Sequence, residues 1–192
     1  MRIIAGRLRG RRIHTPEEPG LRPISGRIKQ SLFDIIAGLV PGARFLDLFA
    51  GTGAVGLEAL SRGAAFVFFV DFKTAFVERL QKNLEATGFS DRAKAQPGNV
   101  LSDLSWVGYR AGVSRFDLIF MGPPYKDESK RPLAYTSRAL ENVVSAGLLA
   151  PGGLVISQHH VKEEVAAPAG LAMVRREKYG DSFLSFFRAE PG

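Results

Sequence analysis

The chain contains 192 residues, of which 45% are hydrophobic and 23% charged, a composition typical of an ordinary folded protein, and its length favours a single domain. It has no cysteine, which excludes disulfides, thiolate zinc sites and a cysteine nucleophile. No apolar run approaches the ~20 residues that cross a bilayer as a helix, and Arg2 is not followed by a long apolar segment. We therefore predict neither a membrane span nor a signal peptide, and we expect a monomer in the cytoplasm.

The first 31 residues carry almost all of the excess charge. They contain eight arginines or lysines and two acids, a net charge of +6, whereas the whole chain has +7. Such a surplus indicates a surface that binds nucleic-acid phosphates, although a solvated basic surface with no partner would give the same pattern. The candidate phosphate-binding residues are Arg2, Arg7, Arg9, Arg11, Arg12 and Arg22.

This basic segment has turn and helix signals of its own. Short β-like runs at residues 2–5 and 11–14 flank the sequence GRLRG and predict a hairpin. Prolines and a glycine between residues 16 and 23 mark a loop, after which Ser25 can cap a helix that continues to about Gly38. We interpret residues 1–40 as a basic arm that packs on a second unit, residues 41–192.

From residue 44 onward, apolar strands alternate with amphipathic helices. The predicted strands are residues 44–48, 65–70, 92–96, 116–121 and 153–159, and the predicted helices are residues 54–62, 73–87 and 132–145. This alternation predicts an α/β fold with an open parallel sheet covered on both faces. Two late strands at about 172–178 and 183–188, on either side of the sequence YGD, predict a terminal hairpin.

A glycine-rich turn follows the first of these strands. In the sequence FLDLFAGTGAVG, the glycines at positions 51, 53 and 56 fit the spacing G-x-G-x-x-G, which lets a nucleotide approach the start of a helix. Asp71 ends the next strand, where a carboxylate can accept hydrogen bonds from ribose hydroxyls. A glycine turn that only packs a helix on the sheet remains the alternative.

Both NAD and S-adenosylmethionine (SAM) bind to turns of this kind. Asp47 favours SAM, because a carboxylate beside the turn repels a pyrophosphate but can hold the cationic amino group of a methionine. After the third strand, Asn99 can bond to an adenine edge and Val100 can pack on the ring. Asn99 is also an ordinary turn residue.

The fourth strand runs into the sequence MGPPY. Pro123 and Pro124 fix φ and have no N–H group to donate. Their carbonyls can accept hydrogen bonds. Tyr125 offers a flat face on which a base can stack. Both this turn and the glycine turn lie at carboxyl ends of strands, where ligands of open α/β sheets bind. His159 and His160 suggest no metal site, since adjacent strand residues point to opposite faces.

Motifs along almost the whole chain resemble one family, the bacterial 16S rRNA guanine-N2 methyltransferases of the guanine-966 type. They are RIIAGRLRGRR, RPISGRIKQSLFDIIA, LDLFAGTGAVGLEALSRGA, FDLIFMGPPY and YGDSFLSFFR. The resemblance implies a SAM-dependent Rossmann-like fold, with a mostly parallel seven-stranded sheet and a late antiparallel strand. It also implies that a guanine amine is methylated on 16S rRNA within an assembled or partly assembled small ribosomal subunit.

The resemblance also assigns roles to residues. It implies a SAM site at Asp47, Gly51 and Gly53, ribose contact at Asp71, and a catalytic base pocket formed by Gly122, Pro123, Pro124 and Tyr125. The family has an acid where Gly26, Asn99 and Gly122 stand, and a glutamate where Gln30 stands. The loss of an acid at Gly122 predicts a slow enzyme, because that side chain accepts a hydrogen of the target amine.

Three other functions fit parts of the sequence. A DNA adenine-N6 or cytosine-N4 methyltransferase also uses a Pro-Pro-Tyr turn. A catalytically weak RNA-binding protein of ribosome assembly would keep the SAM fold. An NAD oxidoreductase is disfavoured by Asp47 and by the Pro-Pro-Tyr turn.

Overall fold

The computed structural model of the protein describes residues 1–14, 24–127 and 129–190. The helices are α1 (Gly26–Ile35), α2 (Gly56–Ser61), α3 (Thr74–Thr87), α4 (Trp106–Ala111) and α5 (Thr136–Ser145). The strands are β1 (Arg44–Leu48), β2 (Phe66–Asp71), β3 (Ala93–Pro97), β4 (Phe116–Met121), β5 (Leu149–His160), β6 (Leu171–Tyr179) and β7 (Ser182–Ala189). No helix in these three ranges is long and apolar enough to cross a membrane.

The strands form one seven-stranded sheet in the order β3-β2-β1-β4-β5-β7-β6. The strands β1 to β5 are parallel, and β7 is inserted antiparallel between β5 and β6. This arrangement confirms the predicted Rossmann-like α/β fold. The chain leaves β1 toward β2 on one side and later returns to pair β4 on the other side. A crevice therefore opens at the carboxyl ends of β1 and β4, where such sheets bind ligands.

Alternating strand residues build a core on each face of the sheet. Phe45 on β1 packs in the layer shared with α1, α2 and α3, whereas Leu46 packs in the layer shared with α4 and α5. Both side chains are completely buried. Because both faces of the sheet are covered, the central strands are nearly continuous apolar runs. This pattern is why their positions could be predicted.

Several elements differ between the prediction and the structure. The arm contains an isolated antiparallel bridge between Arg2 and Arg12 instead of two regular strands. The helix predicted from residue 132 begins at Thr136, because Pro132 forms a bridge with Lys126 and holds the chain extended. The short helix α4 was not predicted. The loop predicted at residues 16–23 lies outside the described residues.

The arm is fixed to α2 by a buried carboxylate. Glu58 is fully buried and accepts hydrogen bonds from the backbone N–H groups of Ile4 (2.8 Å) and Ala5 (2.9 Å). Its oxygens also lie 2.9 Å from Lys29 Nζ and 2.9 Å from Arg62 Nε. Burial raises the pKa of Glu58, but the hydrogen bond from Ile4 and the two cations outweigh this effect and lower it. The arm, α1 and α2 therefore all contact the buried Glu58 carboxylate.

Gly6 allows the arm to approach the end of α2 closely. It has a φ of +80°, and a Cβ placed there would lie 1.9 Å from the carbonyl oxygen of Ser61. Arg7 N donates to that same carbonyl over 2.8 Å. Whether residues 1–40 form a unit separate from residues 41–192 stays a prediction.

Candidate active site

A cavity of about 460 Å³ opens at the carboxyl ends of the central strands. It brings together eight of the residues predicted from the glycine and Pro-Pro-Tyr motifs. They are Asp47, Gly51, Asp71, Asn99, Gly122, Pro123, Pro124 and Tyr125. The two motifs, about 70 residues apart in sequence, thus line one space because β1 and β4 are neighbours in the sheet.

Asp47 is a buried carboxylate in the wall of this cavity. It is 1% exposed, and its Oδ2 accepts a hydrogen bond from Gly56 N over 2.8 Å. Burial, with a further contribution from the nearby Asp71, raises the pKa of Asp47 to about 8. A cation placed beside it would stabilise the ionised form. The site therefore fits the amino group of SAM, which is positively charged.

Asp71 joins the two loops that border the cavity. Its Oδ2 accepts from Gly51 N over 2.7 Å, and its Oδ1 accepts from Lys73 N over 3.0 Å. Burial raises the pKa of Asp71, although these backbone hydrogen bonds oppose the effect. Each carboxylate oxygen can accept more than one hydrogen bond, so capacity remains for ribose hydroxyls.

Two of the predicted cofactor residues do not line the cavity. A Cβ at Gly53, which has a φ of +83°, would lie 2.3 Å from Leu80 Cδ1, so this glycine is required by the turn and by packing. Val100 is 2% exposed and belongs to the core beneath α4 and α5. Asn99 does line the cavity, while its Oδ1 accepts from Leu101 N over 2.9 Å, as in an Asx turn.

Tyr125 is held in place by its hydroxyl group. The hydroxyl donates to Ser182 Oγ over 3.0 Å and accepts from Gln158 Nε2 over 2.9 Å. Its ring also meets the ring of His160 edge-on, with centroids 5.5 Å apart. The Pro-Pro-Tyr turn is thus connected to β5 and β7, and its aromatic ring is fixed before any ligand binds.

The hydrogen bonds around Tyr125 have a defined direction. Ser182 Oγ donates to Asp181 Oδ1 over 3.3 Å, and a carboxylate can only accept. Ser182 therefore accepts from Tyr125, and Tyr125 accepts from the amide nitrogen of Gln158. This direction fixes the nitrogen of the Gln158 amide toward Tyr125 and leaves its oxygen available to another donor.

Gln158 is a lining residue that the motifs did not indicate. In the parallel register Met121 pairs with Ser157, so Gly122 and Gln158 come next on neighbouring strands. Gln158 is 8% exposed. The available signal was a large polar side chain shortly after the apolar run LVI, near the carboxyl end of a strand.

Phe72 is a second lining residue that was missed. It follows Asp71 directly, and 73% of its surface is exposed, an unusual degree for a large apolar side chain. An exposed aromatic ring at the mouth of a cavity is suited to packing on a nucleoside base. The dipeptide Asp-Phe at the end of a strand was the signal in the sequence.

The arm arginines divide into two groups. Arg2 donates to the carbonyl of Gly10 (2.9 Å), Arg11 donates to the carbonyl of Ala86, and Arg7 lies over the ring of Phe89 at 4.9 Å. Arg9 and Arg12 are exposed and make no ion pair or side-chain hydrogen bond within the ranges that the structure describes. Arg22 lies outside those ranges.

His159 has a structural role inside the sheet. It is fully buried, and its Nε2 lies 2.9 Å from Ser185 Oγ. Burial lowers the pKa of His159 to about 4, so the ring is neutral near pH 7. In the part of the chain that the structure describes, no group of three acidic or histidine side chains could hold a metal ion.

Comparison with known proteins shows the family to which the chain belongs. A family model described as conserved hypothetical protein 95 matches residues 1–188. The small-subunit rRNA methyltransferase D of Escherichia coli K12 is 33% identical over 196 aligned positions, which cover 95% of this chain and 93% of the relative. The chain belongs to this family of rRNA methyltransferases. It is therefore a methyltransferase that takes SAM as its cofactor.

Two further relatives agree with family membership. A Bacillus subtilis protein provisionally named rRNA methyltransferase YlbH is 30% identical, and the match covers 98% of each chain. A solved structure from E. coli, provisionally named methyltransferase yhhF, superposes with a TM-score of 0.81 at 29% identity. That superposition covers 99% of this chain and 98% of the other.

Proposed function

We propose that this protein transfers the methyl group of SAM to the exocyclic N2 amine of a guanine in 16S rRNA. The observation that carries the proposal is the shared cavity. The buried carboxylates Asp47 and Asp71 line the same cavity as the segment from Gly122 to Tyr125, which supports one site for both cofactor and target. A small-subunit rRNA methyltransferase related over nearly the whole chain supports RNA as the substrate.

We propose that three side chains each bind a different part of SAM. Asp47 would hold the amino group of its methionine part, Asp71 would accept from the ribose hydroxyls, and Phe72 would pack on the adenine. When bound, the cofactor supplies a methyl group activated by a sulfonium ion. The protein contributes position and orientation, which can account for most of the lowering of the barrier.

On the target side, Tyr125 would stack on the guanine and keep its amine facing the cofactor. Guanine N2 is a weak nucleophile because its lone pair is delocalised into the ring. The Pro123 carbonyl and the Gln158 amide oxygen would each accept a hydrogen of the amine, which returns electron density to nitrogen. As the N2–CH₃ bond forms, the S–CH₃ bond breaks, and one amine proton is then released to water.

Because residue 122 is a glycine, this arrangement has no side-chain acceptor at that position. Losing a preorganised polar partner typically lowers a rate by ~10²–10³. Gln158, which borders Gly122 on the next strand, compensates in part because its amide is already oriented by Tyr125. We propose a slow but active enzyme, located in the cytoplasm where the small ribosomal subunit assembles, acting as a monomer.

The direct experiment supplies the protein with labelled SAM and either unmethylated 16S rRNA, small-subunit particles that lack the modification, or duplex DNA. Digestion to nucleosides then identifies the product. We expect N2-methylguanosine from RNA or from the particles. N6-methyladenine or N4-methylcytosine from DNA would contradict the proposal and support a DNA amine methyltransferase. RNA binding without methyl transfer to any substrate would support a binding protein of ribosome assembly.

A further inference from the structure

A second cavity of about 260 Å³ lies beside the first. It is bordered by the first turn of α1 and by the turn between β6 and β7. Gln158 lines both cavities. The two cavities therefore adjoin at this side chain, so one RNA strand could reach both.

The second cavity has two cationic side chains at its edge. Arg27 on α1 and Lys178 on β6 are both exposed, and neither forms an ion pair within residues 1–14, 24–127 and 129–190. The lining contains one acid, Asp181, whose carboxylate accepts from the Ser182 hydroxyl. Two cations from distant parts of the chain thus border one space, where their charge favours an anion.

The start of α1 adds further donors at the same place. Ser25 Oγ accepts from Ile28 N over 3.2 Å and caps the helix. The first N–H groups of a helix have no acceptor inside it, and the helix dipole favours negative charge there. These groups alone would not define a site, but here they border the cavity on which Arg27 and Lys178 converge.

We propose that the second cavity binds a backbone phosphate of the RNA strand that carries the target guanine. The inference rests on the proposed function and deepens it, because it fixes how the strand approaches the active site. The base would enter the first cavity beside Tyr125, while a neighbouring phosphate would be held by Arg27 and Lys178. Neither residue was among the candidate phosphate-binding arginines of the arm.

The test is a double variant, Arg27→Gln with Lys178→Gln, and its binding to unmethylated 16S rRNA measured over a range of KCl concentrations. Loss of two phosphate contacts should reduce the slope of log K against log[salt] by about 1.4–1.8 and weaken binding ~10-fold near 0.15 M salt. The affinity for SAM, measured by calorimetry, should not change, since neither residue lines the first cavity.

The matched control is Arg110→Gln with Arg115→Gln, which removes the same charge from exposed positions. These residues lie near the amino end of β4, whereas both cavities lie near the carboxyl ends of the parallel strands. The control should keep the wild-type slope. If wild type methylates the RNA but the Arg27/Lys178 variant has the wild-type slope and affinity, the phosphate site is wrong. The proposed function would then still stand. If wild type neither binds nor methylates the RNA, the proposed function itself fails.

Discussion

The side-chain amide of Gln158 donates a hydrogen bond to the hydroxyl of Tyr125 over 2.9 Å and so connects β5 to the turn after β4. This contact fixes the aromatic ring of the turn and, through the directed hydrogen bonds to Ser182 and Asp181, the orientation of the amide. The turn, which has no side chain at Gly122, thus has a polar neighbour already in place. The same residue also separates the two cavities.

Replacing Gln158 by leucine should lower the single-turnover rate of methyl transfer by ~10²-fold, because one preorganised acceptor is lost and Tyr125 loses the hydrogen bond from the amide. The affinity for SAM should stay nearly constant. Gln96→Leu, the same chemical change near the end of β3 and outside the cavity lining, is the control and should retain the wild-type rate. A Gln158→Leu variant with an unchanged rate at saturating SAM would exclude the amide from a role.

Replacing Gly122 by aspartate should raise the single-turnover rate by at least ~10-fold, since a carboxylate restores the missing acceptor. The backbone allows the change, and a Cβ at this position would lie 3.3 Å from Phe120 Cε1, so the ring must shift slightly. Gly122→Ala tests that shift without the carboxylate and should give no increase. A fast wild type that Gly122→Asp slows would show that the carboxylate is not needed here.

Much of the sheet could be predicted from the sequence. The bounds of β1 and β4 agree with the prediction because apolar runs buried on both faces end abruptly at turn residues. Helix α4 was missed because it has only six residues, one of which, Gly108, disfavours a helix. The arm forms one isolated bridge because its backbone donors at Ile4 and Ala5 are used by Glu58.

The site could be predicted where local motifs define it. Asp47, Asp71 and the Pro-Pro-Tyr turn each stand at the carboxyl end of a strand, so a parallel sheet places them together. Gln158 could not be recognised, because its position beside Gly122 depends on which strands are neighbours and on their register. The intramolecular contacts of Arg7 and Arg11 likewise depend on tertiary packing.

The ligand-free protein should become less stable relative to an Asp47→Asn variant as the pH rises from about 4 to about 8. Burial raises the pKa of Asp47 from its ordinary value of 3.8 to about 8. Between these values the folded state holds a proton that the unfolded state has released, so stability falls with rising pH. Melting temperatures of both proteins across this range measure the difference. A constant difference would show that Asp47 is already ionised.

Replacing Glu58 by glutamine should destabilise the protein by about 3–5 kcal/mol, because Lys29 would remain buried without its counter-charge. Both side chains of this ion pair are almost fully buried, at 1% and 0% exposure. Urea unfolding measures the change. Glu141→Gln, which breaks an exposed ion pair with Arg138, should change stability by about 0–1 kcal/mol. Equal effects of the two substitutions would show that the buried centre does not anchor the arm.

The central claim is that this protein methylates a guanine amine in 16S rRNA. The measurement that tests it most directly is mass mapping of 16S rRNA from a strain that lacks the gene. We predict that one N2-methylguanine disappears, that the wild-type gene restores it, and that a gene carrying Tyr125→Ala does not restore it fully. An unchanged set of N2-methylguanines in 16S rRNA from the strain without the gene would contradict the account.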